Sequence, residues 1–196
     1  MSTVSVDRTK PRQYEHATHR YFSVSQVCDV VTGGQHWGSQ EAMDRGTAVH
    51  RLFALTVAAY AGLCAPPTIK PEYAGYARSI QQWLDVAKPE PIAIEDRRVS
   101  TVKGLPFAGT FDLLCRMHDK GKSVRLLLDM KSGQAEGWHR IQVQAYGVLC
   151  PEAERLALLY IKEDGSMPTW KVVPKNPRDL ALFYNALSVL MGRETL

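Results

Sequence analysis

The sequence predicts an α/β domain with an α+β-like order, in which helices flank a mixed central β-sheet that contains an antiparallel meander. Helical patterns dominate the chain up to Lys88, and the patterns of successive strands follow from Pro91 to Met130. Helix and strand patterns then alternate to the C-terminus, so helices both precede and follow the central strands. The 196 residues, of which 45% are hydrophobic and 22% charged, suffice for one folded core.

The part of the chain before the strands divides into a polar arm and three predicted helices. Residues 1–18 are polar and basic, so we expect a flexible N-terminal arm, followed by a single domain over 19–196. Ser25 and Ser39 stand where helix caps are expected, and apolar residues recur at helical spacing after them. The predicted helices cover residues 25–31, 39–61 and 71–88.

The second half of the chain alternates between strand and helix patterns. Apolar residues at every second position predict strands, and Gly109 interrupts the second of them. A helical pattern from Glu136 to Leu149 separates the meander from two closing strands, and Pro177 begins the last helix. The predicted strands cover residues 91–102, 105–118, 123–130, 155–162 and 170–173, and the last helix covers 177–190.

The second and third strands of the meander are joined by the tetrapeptide DKGK at 119–122, which suits a tight hairpin turn. That register places Asp112 directly opposite Asp129, with their Cβ atoms about 5 Å apart. Opposed like charges destabilise a sheet, and a bound divalent cation would remove the repulsion because hard cations take carboxylate oxygens. The alternatives are two exposed acids paired with lysines, or a longer loop that shifts the register.

The third strand runs into the sequence VRLLLDMKSGQ, in which Asp129 and Lys131 point to the same face. An apolar face does not tolerate both charges without a compensating role. A cation beside a metal site can hold a phosphate or an attacking water, so the implied substrate is a phosphodiester. The alternative is a salt-bridged strand end, since about one acid-x-Lys triplet is expected by chance in a chain of this composition.

Two predicted helices carry residue pairs one turn apart. Gly46 and His50 share a face of the long helix, and Gln142 and Tyr146 share a face of the helix after the meander. The second pair is placed to present an amide and a phenol toward one site. The alternatives are a structural histidine and a partly buried helix face whose tyrosine hydroxyl is satisfied.

Charge, hydropathy and cysteine spacing exclude some classes of protein. The net charge of +4 permits a nucleic-acid partner without requiring one. The chain has no apolar run long enough to span a bilayer, and its N-terminus has no signal-peptide core, so we expect no membrane association and an intracellular, cytoplasmic protein. The four cysteines are far apart without a CxxC pair, which favours small buried hydrophobic residues over metal ligands.

In this order the motifs resemble those of the PD-(D/E)XK nuclease superfamily, specifically its RecB-type exonuclease branch. Members include the nuclease domains of RecB and AddAB helicase-nucleases and the CRISPR-associated, phage and mitochondrial genome maintenance exonucleases. The branch shows a G-x-x-x-H helix, a G-x-x-D strand, a D/E-x-K strand and a Q-x-x-x-Y helix, and the resemblance spans residues 21–162. The matching segments are Gly46 to His50, Gly109 to Asp112, Asp129 to Lys131 and Gln142 to Tyr146.

The resemblance implies a restriction-endonuclease-like core with a site for Mg²⁺ or Mn²⁺. It assigns Lys131 as the catalytic lysine, acting with Asp112 and Asp129. The implied metal ligands are His50, Asp112, Asp129 and the main-chain carbonyl of Met130.

Further residues receive supporting roles. The resemblance implies that Gln142 and Tyr146 orient the catalytic lysine or contact DNA, and Glu95 matches an acidic position on the first strand. Arg140 is a candidate phosphate contact. Relatives that carry an iron–sulfur cluster have several cysteines after the Q-x-x-x-Y helix, whereas only Cys150 follows it here, so we expect no such cluster.

The resemblance therefore implies a metal-dependent DNA exonuclease of recombination, repair or phage DNA processing, in a prokaryotic or phage-encoded protein. Its partner would be single-stranded or duplex DNA with a free end. One alternative is a catalytically silent nucleic-acid-binding or scaffolding module on the same fold, and another is a structure-specific endonuclease. Silent members typically lose an acid or the lysine, and every expected group is present here. The sequence shows no helicase motif, so a helicase or recombination partner would be a separate chain.

Overall fold

The computed structural model describes residues 5–6, 13–16, 19–34, 39–119 and 121–194, which form one mixed β-sheet with helices on both faces. The strands are β1 Ser5–Val6, β2 Gln13–His16, β3 His19–Ser23, β4 Glu90–Ser100, β5 Phe107–Asp119, β6 Lys122–Lys131, β7 Arg155–Tyr160 and β8 Thr169–Val173. The helices are α1 Val24–Thr32, α2 Gln40–Tyr60, α3 Ala74–Ala87, α4 Trp138–Leu149 and α5 Pro177–Glu194, with a 3₁₀ turn at Pro71–Tyr73 before α3. The predicted α/β class, with its mixed sheet flanked by helices, is confirmed.

The two faces of the sheet bury separate apolar clusters. Leu127 of β6 packs with α1, α4 and α5, whereas its neighbours Leu126 and Leu128 pack with α2 and α3 on the other face. This alternation is expected of a strand that is covered on both faces. The sheet therefore fixes α2 and α4 on opposite sides of the same strands.

The hairpin of β5 and β6 has the register that the tight turn predicts, from Asp119 opposite Lys122 to Leu113 opposite Leu128. The ladder ends there, one pair before Asp112 and Asp129 would meet. Beyond that point β6 continues beside β7, in parallel, as far as Lys131. The two strands of the hairpin thus separate at the position of the two aspartates.

A different strand takes the place of β6 along the edge of β5. The strand β4 occupies one edge of β5 along most of its length, and β3 pairs in parallel with Phe107 and Ala108 on the edge that β6 has left. In the described part of the chain, residues 109–112 therefore lack a strand partner on this edge. This gap includes the G-x-x-D segment.

The structure describes two short strands in the N-terminal arm and the degree of burial of each of the four cysteines. Within residues 1–18, Ser5–Val6 and Gln13–His16 form strands, while the other residues lie outside the described ones, so the flexible arm stays a prediction. Cys28, Cys115 and Cys150 are buried as expected, whereas Cys64 is exposed because it lies in the loop after α2. No helix among the described residues combines the length and apolar content that crossing a membrane requires.

Candidate active site

The carboxylate of Asp112 connects three elements at the gap between β5 and β6. Its Oδ2 accepts a hydrogen bond of 2.6 Å from the main-chain N–H of Met130 on β6. Its Oδ1 lies 2.8 Å from Nδ1 of His50 on α2. The N–H and C=O of one strand residue point to the same side of the strand, so the carbonyl of Met130 also faces this gap. A carboxylate, an imidazole and a main-chain oxygen therefore come together at one corner.

A second chain of contacts starts from Asp129 and Lys131 on β6. Nζ of Lys131 lies 2.8 Å from Oδ2 of Asp129 and donates a hydrogen bond of 2.5 Å to Oε1 of Gln142 on α4. The amide of Gln142 in turn donates to the hydroxyl of Tyr146 at 3.3 Å. The ammonium is thus held between a strand and a helix, and only 11% of the lysine side chain is exposed.

The buried Asp129 is incompletely compensated. Its Oδ2 has no hydrogen-bond partner among the described residues, because Nζ of Lys131 is close but does not have hydrogen-bond geometry. Burial raises the pKa of Asp129 to about 6; the charge of Lys131 opposes this rise and the charge of Asp112 adds to it. An ionised carboxylate in this position costs free energy that a bound cation would offset.

The pKa of Asp112 is shifted in the opposite direction to that of Asp129. Burial alone would raise the pKa of this carboxyl, but His50, the charge of Lys131 and the hydrogen bond from the Met130 N–H together outweigh burial and lower it. Burial alone would likewise lower the pKa of His50, and Asp112 raises it instead. Two neighbouring carboxyl groups with pKa values pushed apart are typical of sites that divide acid and base roles.

Three potential ligands lie close enough to share one cation. One ligand atom each from His50, Glu95 and Asp112 lies within 4.8 Å of the other two. Glu95 is on β4, between residues that pair with the neighbours of Asp112 on β5, and its φ is 49°. This left-handed conformation is uncommon outside glycine, and such strain is concentrated at functional sites. Carboxylate oxygens, an imidazole nitrogen and the Met130 carbonyl are a donor set that fits Mg²⁺ or Mn²⁺.

The structure therefore groups the predicted ligands differently from the sequence. His50 and Asp112 lie together, and Glu95 completes their group. Asp129 lies outside this group of three and is directed to Lys131, although its pKa responds to the charge of Asp112.

Helix α4 approaches β5 closely because Gly109 has no side chain. A Cβ at Gly109 would lie 2.7 Å from Cε1 of Tyr146 and 2.9 Å from Cγ2 of Val24, closer than carbon atoms pack. This approach seats Tyr146 and, one turn earlier, Gln142 in the interior, where both are buried. The glycine of the G-x-x-D segment thus fixes the height of α4 above the sheet.

Two further predicted residues lie at the margin of the site. A Cβ at Gly46 of α2 would be 3.9 Å from Oγ of Ser132, so α2 passes beside the loop that follows Lys131. Arg140 is largely exposed, and its guanidinium lies 3.6 Å from Oδ1 of Asp179. The arginine is therefore accessible from solvent, although the nearby carboxylate of Asp179 partly neutralises its positive charge.

One residue at the site was missed by sequence analysis. Trp138 lies one turn before Gln142 on α4, and the centre of its indole ring is 5.4 Å from Nζ of Lys131. Trp138, Gln142 and Tyr146 follow one another at intervals of four, so they share a helix face. That spacing is readable from the sequence, but an apolar ring near a helix start gives no chemical signal.

No protein-family model and no curated protein matches this sequence. Among solved structures, the crystal structure of an alkaline exonuclease (LHK-Exo) from Laribacter hongkongensis is similar over 88% of this chain and 87% of that chain, with a TM-score of 0.51 and 13% identity. The crystal structure of SSO0001 is similar over 90% of this chain and 78% of that chain, with a TM-score of 0.46 and 16% identity. At such identities, the likeness to the alkaline exonuclease shows a shared fold.

Proposed function

We propose that this chain is a PD-(D/E)XK nuclease that uses Mg²⁺ or Mn²⁺ to hydrolyse phosphodiester bonds at a DNA end. The observation that carries the proposal is the meeting of His50 and Asp112 with the strand end that bears Lys131, where Asp112 accepts the Met130 N–H and Lys131 lies beside Asp129. The fold shared with a protein described as an alkaline exonuclease supports the same conclusion. The G-x-x-x-H and Q-x-x-x-Y segments are our reason for proposing the RecB-type branch.

The roles of the chain's own residues follow from their contacts. His50, Glu95, Asp112 and the Met130 carbonyl would hold the cation, and Asp129 would join them by turning from Lys131; the cation would supply Lewis acidity toward the phosphate and toward water. Lys131 places a positive charge beside this site, where negative charge develops on the phosphate during hydrolysis. Gln142 fixes the ammonium by a hydrogen bond, and Tyr146 fixes the amide of Gln142.

End-labelled DNA tests the proposal. Single-stranded and duplex DNA, labelled at the 5′ or the 3′ end, and a closed circular DNA would be incubated with Mg²⁺ or Mn²⁺. We expect stepwise shortening of linear DNA, resistance of the circle, and cleavage slowed about 10²- to 10³-fold in a Lys131→Met control.

The other outcomes identify the competing functions. Cleavage of the circle at a rate comparable to that of linear DNA would identify an endonuclease. Salt-sensitive DNA binding without cleavage in either metal would identify a silent binding module. A separate helicase or recombination partner would be recognised by whether it stimulates the linear-DNA reaction.

A further inference from the structure

The ammonium of Lys131 has an aromatic wall in addition to its two polar contacts. Asp129 and Gln142 account for two sides of Nζ, and the indole ring of Trp138 faces it from a third at 5.4 Å from the ring centre. This distance is within the range at which a ring attracts a cation through its negative face. The attraction is stronger where water is excluded, and the lysine side chain is only 11% exposed.

The ring of Trp138 is itself held in place by neighbouring groups. Its Nε1–H donates a hydrogen bond of 2.5 Å to the carboxylate of Glu136. The ring of His139 meets it edge-on, with centroids 4.3 Å apart and an interplanar angle of 69°. Nδ1 of His139 accepts the main-chain N–H of Glu136 at 3.3 Å and lies 3.2 Å from the hydroxyl of Tyr160. Tyr160 on β7 is the register partner of Lys131 on β6, so the tryptophan is tied to the strand beside the lysine.

A lysine side chain has a flexible four-carbon stem, so a fixed ammonium needs more than one restraint. Gln142 supplies a hydrogen bond from one turn of α4, and Trp138 supplies a rigid face from the turn before it. Both restraints come from the same helix, but they differ in kind. The hydrogen bond from Gln142 is directional, whereas the attraction to the ring of Trp138 is not. Removing either would leave the ammonium with fewer restraints beside Asp129, so that other rotamers become accessible.

We infer that Trp138 is a positioning residue for Lys131, so that the working face of α4 is Trp138–Gln142–Tyr146. The inference rests on the proposed function, in which the lysine acts on the scissile phosphate. Trp138 acts through the lysine in this account and does not itself bind DNA. Its loss therefore lowers turnover and leaves the affinity for DNA unchanged.

Three variants test this role: Trp138→Leu, Trp138→Phe, and Trp170→Leu as a matched control at a tryptophan on β8 that is 43% exposed. With end-labelled DNA and saturating Mn²⁺, Trp138→Leu should lower kcat about 3- to 30-fold with KM nearly unchanged. Trp138→Phe should recover most of this loss because it keeps an aromatic face, and Trp170→Leu should match the wild type. An unchanged kcat in Trp138→Leu, a rise in KM alone, or a phenylalanine variant no better than leucine would each overturn the inference.

A second measurement needs no turnover. In metal-free protein carrying ¹³C at the lysine ε-methylene, the ring of Trp138 should shift the Lys131 ε-protons upfield. The resonance is assigned by its loss in Lys131→Met, and the shift should vanish in Trp138→Leu and remain in Trp138→Phe. A wild type that shows the shift but cleaves no DNA would count against the proposed function, whereas a missing shift would refute the contact on which the inference depends.

Discussion

Nδ1 of His50 lies 2.8 Å from Oδ1 of Asp112, although the two residues are 62 positions apart in the chain. The contact depends on α2, whose buried residues Val49 and Phe53 pack against the sheet on either side of His50 in sequence. Each partner shifts the pKa of the other toward the charged pair. In the absence of a cation, the imidazole and the carboxylate therefore satisfy one another, and a cation bound here would compete with this contact.

The first prediction concerns metal affinity. We expect His50→Ala to weaken Mn²⁺ binding at least tenfold, since outer-shell partners of metal ligands alone contribute on the order of 10- to 100-fold. The loss should be larger for Mn²⁺ than for Mg²⁺, whose preferred ligands are oxygens. Calorimetric titration checks this, with His118→Ala as a control at a histidine that is 63% exposed. Equal Mn²⁺ affinity in wild type and His50→Ala would make His50 a structural residue.

The second prediction concerns the pH dependence of stability. The pKa of Asp129 is about 6 in the folded protein, above the value of about 3.9 in an unfolded chain. The contribution of Asp129 to the free energy of unfolding is therefore fully present below about pH 4, and it is lost as the pH rises through about 6. At pH 8 the ionised group therefore costs on the order of 1–3 kcal/mol in metal-free protein.

We accordingly expect Asp129→Asn to raise the melting temperature of metal-free protein at pH 8 and to raise it much less at pH 4.5. Thermal unfolding in a chelator measures this, and Asp85→Asn on the exposed surface of α3 controls for the change in net charge. Added Mn²⁺ should stabilise the wild type more than Asp129→Asn. A variant less stable than the wild type at pH 8 would contradict the assigned direction of the pKa shift.

The third prediction concerns turnover. Lys131→Met keeps most of the methylene stem and removes the charge, so we expect a loss of rate on the order of 10²- to 10³-fold. The assay uses saturating Mn²⁺, because the cation then compensates the charge of Asp129. Lys122→Met, at the exposed start of the same strand, should retain normal turnover. Comparable rates in the two variants would remove Lys131 from the mechanism.

The fourth prediction concerns Gly109. We expect Gly109→Ala to destabilise the protein by about 1–3 kcal/mol, because the added methyl overlaps Tyr146 and Val24. Tyr146 would be displaced and would release Gln142, so activity should fall further than the loss of folded protein explains. Gly192→Ala on α5 has open space at Cβ and should be neutral or slightly stabilising. Denaturant unfolding measures the stability of both variants, and activity is measured under conditions in which each is fully folded. A Gly109→Ala variant as stable and as active as the wild type would contradict the prediction.

Local sequence information sufficed for most elements and for one long-range feature, but it did not predict β1 and β2, and the cap of α1 is Ser23 where Ser25 was expected. The periodicity of α2 predicts a helix over 39–61, and the helix spans Gln40–Tyr60. The register of β5 and β6 is predictable because a two-residue turn and a side-chain period of two leave one alignment. The meeting of Asp129 and Lys131 follows from the same period.

The separation of the hairpin strands could not be read from the sequence. It depends on β3 pairing with Phe107 and Ala108, and the short pattern of β3 contains nothing that selects a partner so far along the chain. The positive φ of Glu95 was not predicted for a similar reason, since a glutamate in an alternating strand pattern gives no sign of a left-handed backbone. Both features are set by tertiary packing, and both determine which ligands meet.

The place of β3 beside the gap has a practical consequence for anyone shortening or tagging the protein. Its last residue, Ser23, caps α1 through paired hydrogen bonds with Gln26, so the strand and the helix start share one residue. Trimming through Ser23 would open the edge of β5 at Phe107 and Ala108, next to the unpaired stretch that ends at Asp112, and would uncap α1. N-terminal truncations should therefore stop before His19, and affinity tags belong at the α5 end of the chain.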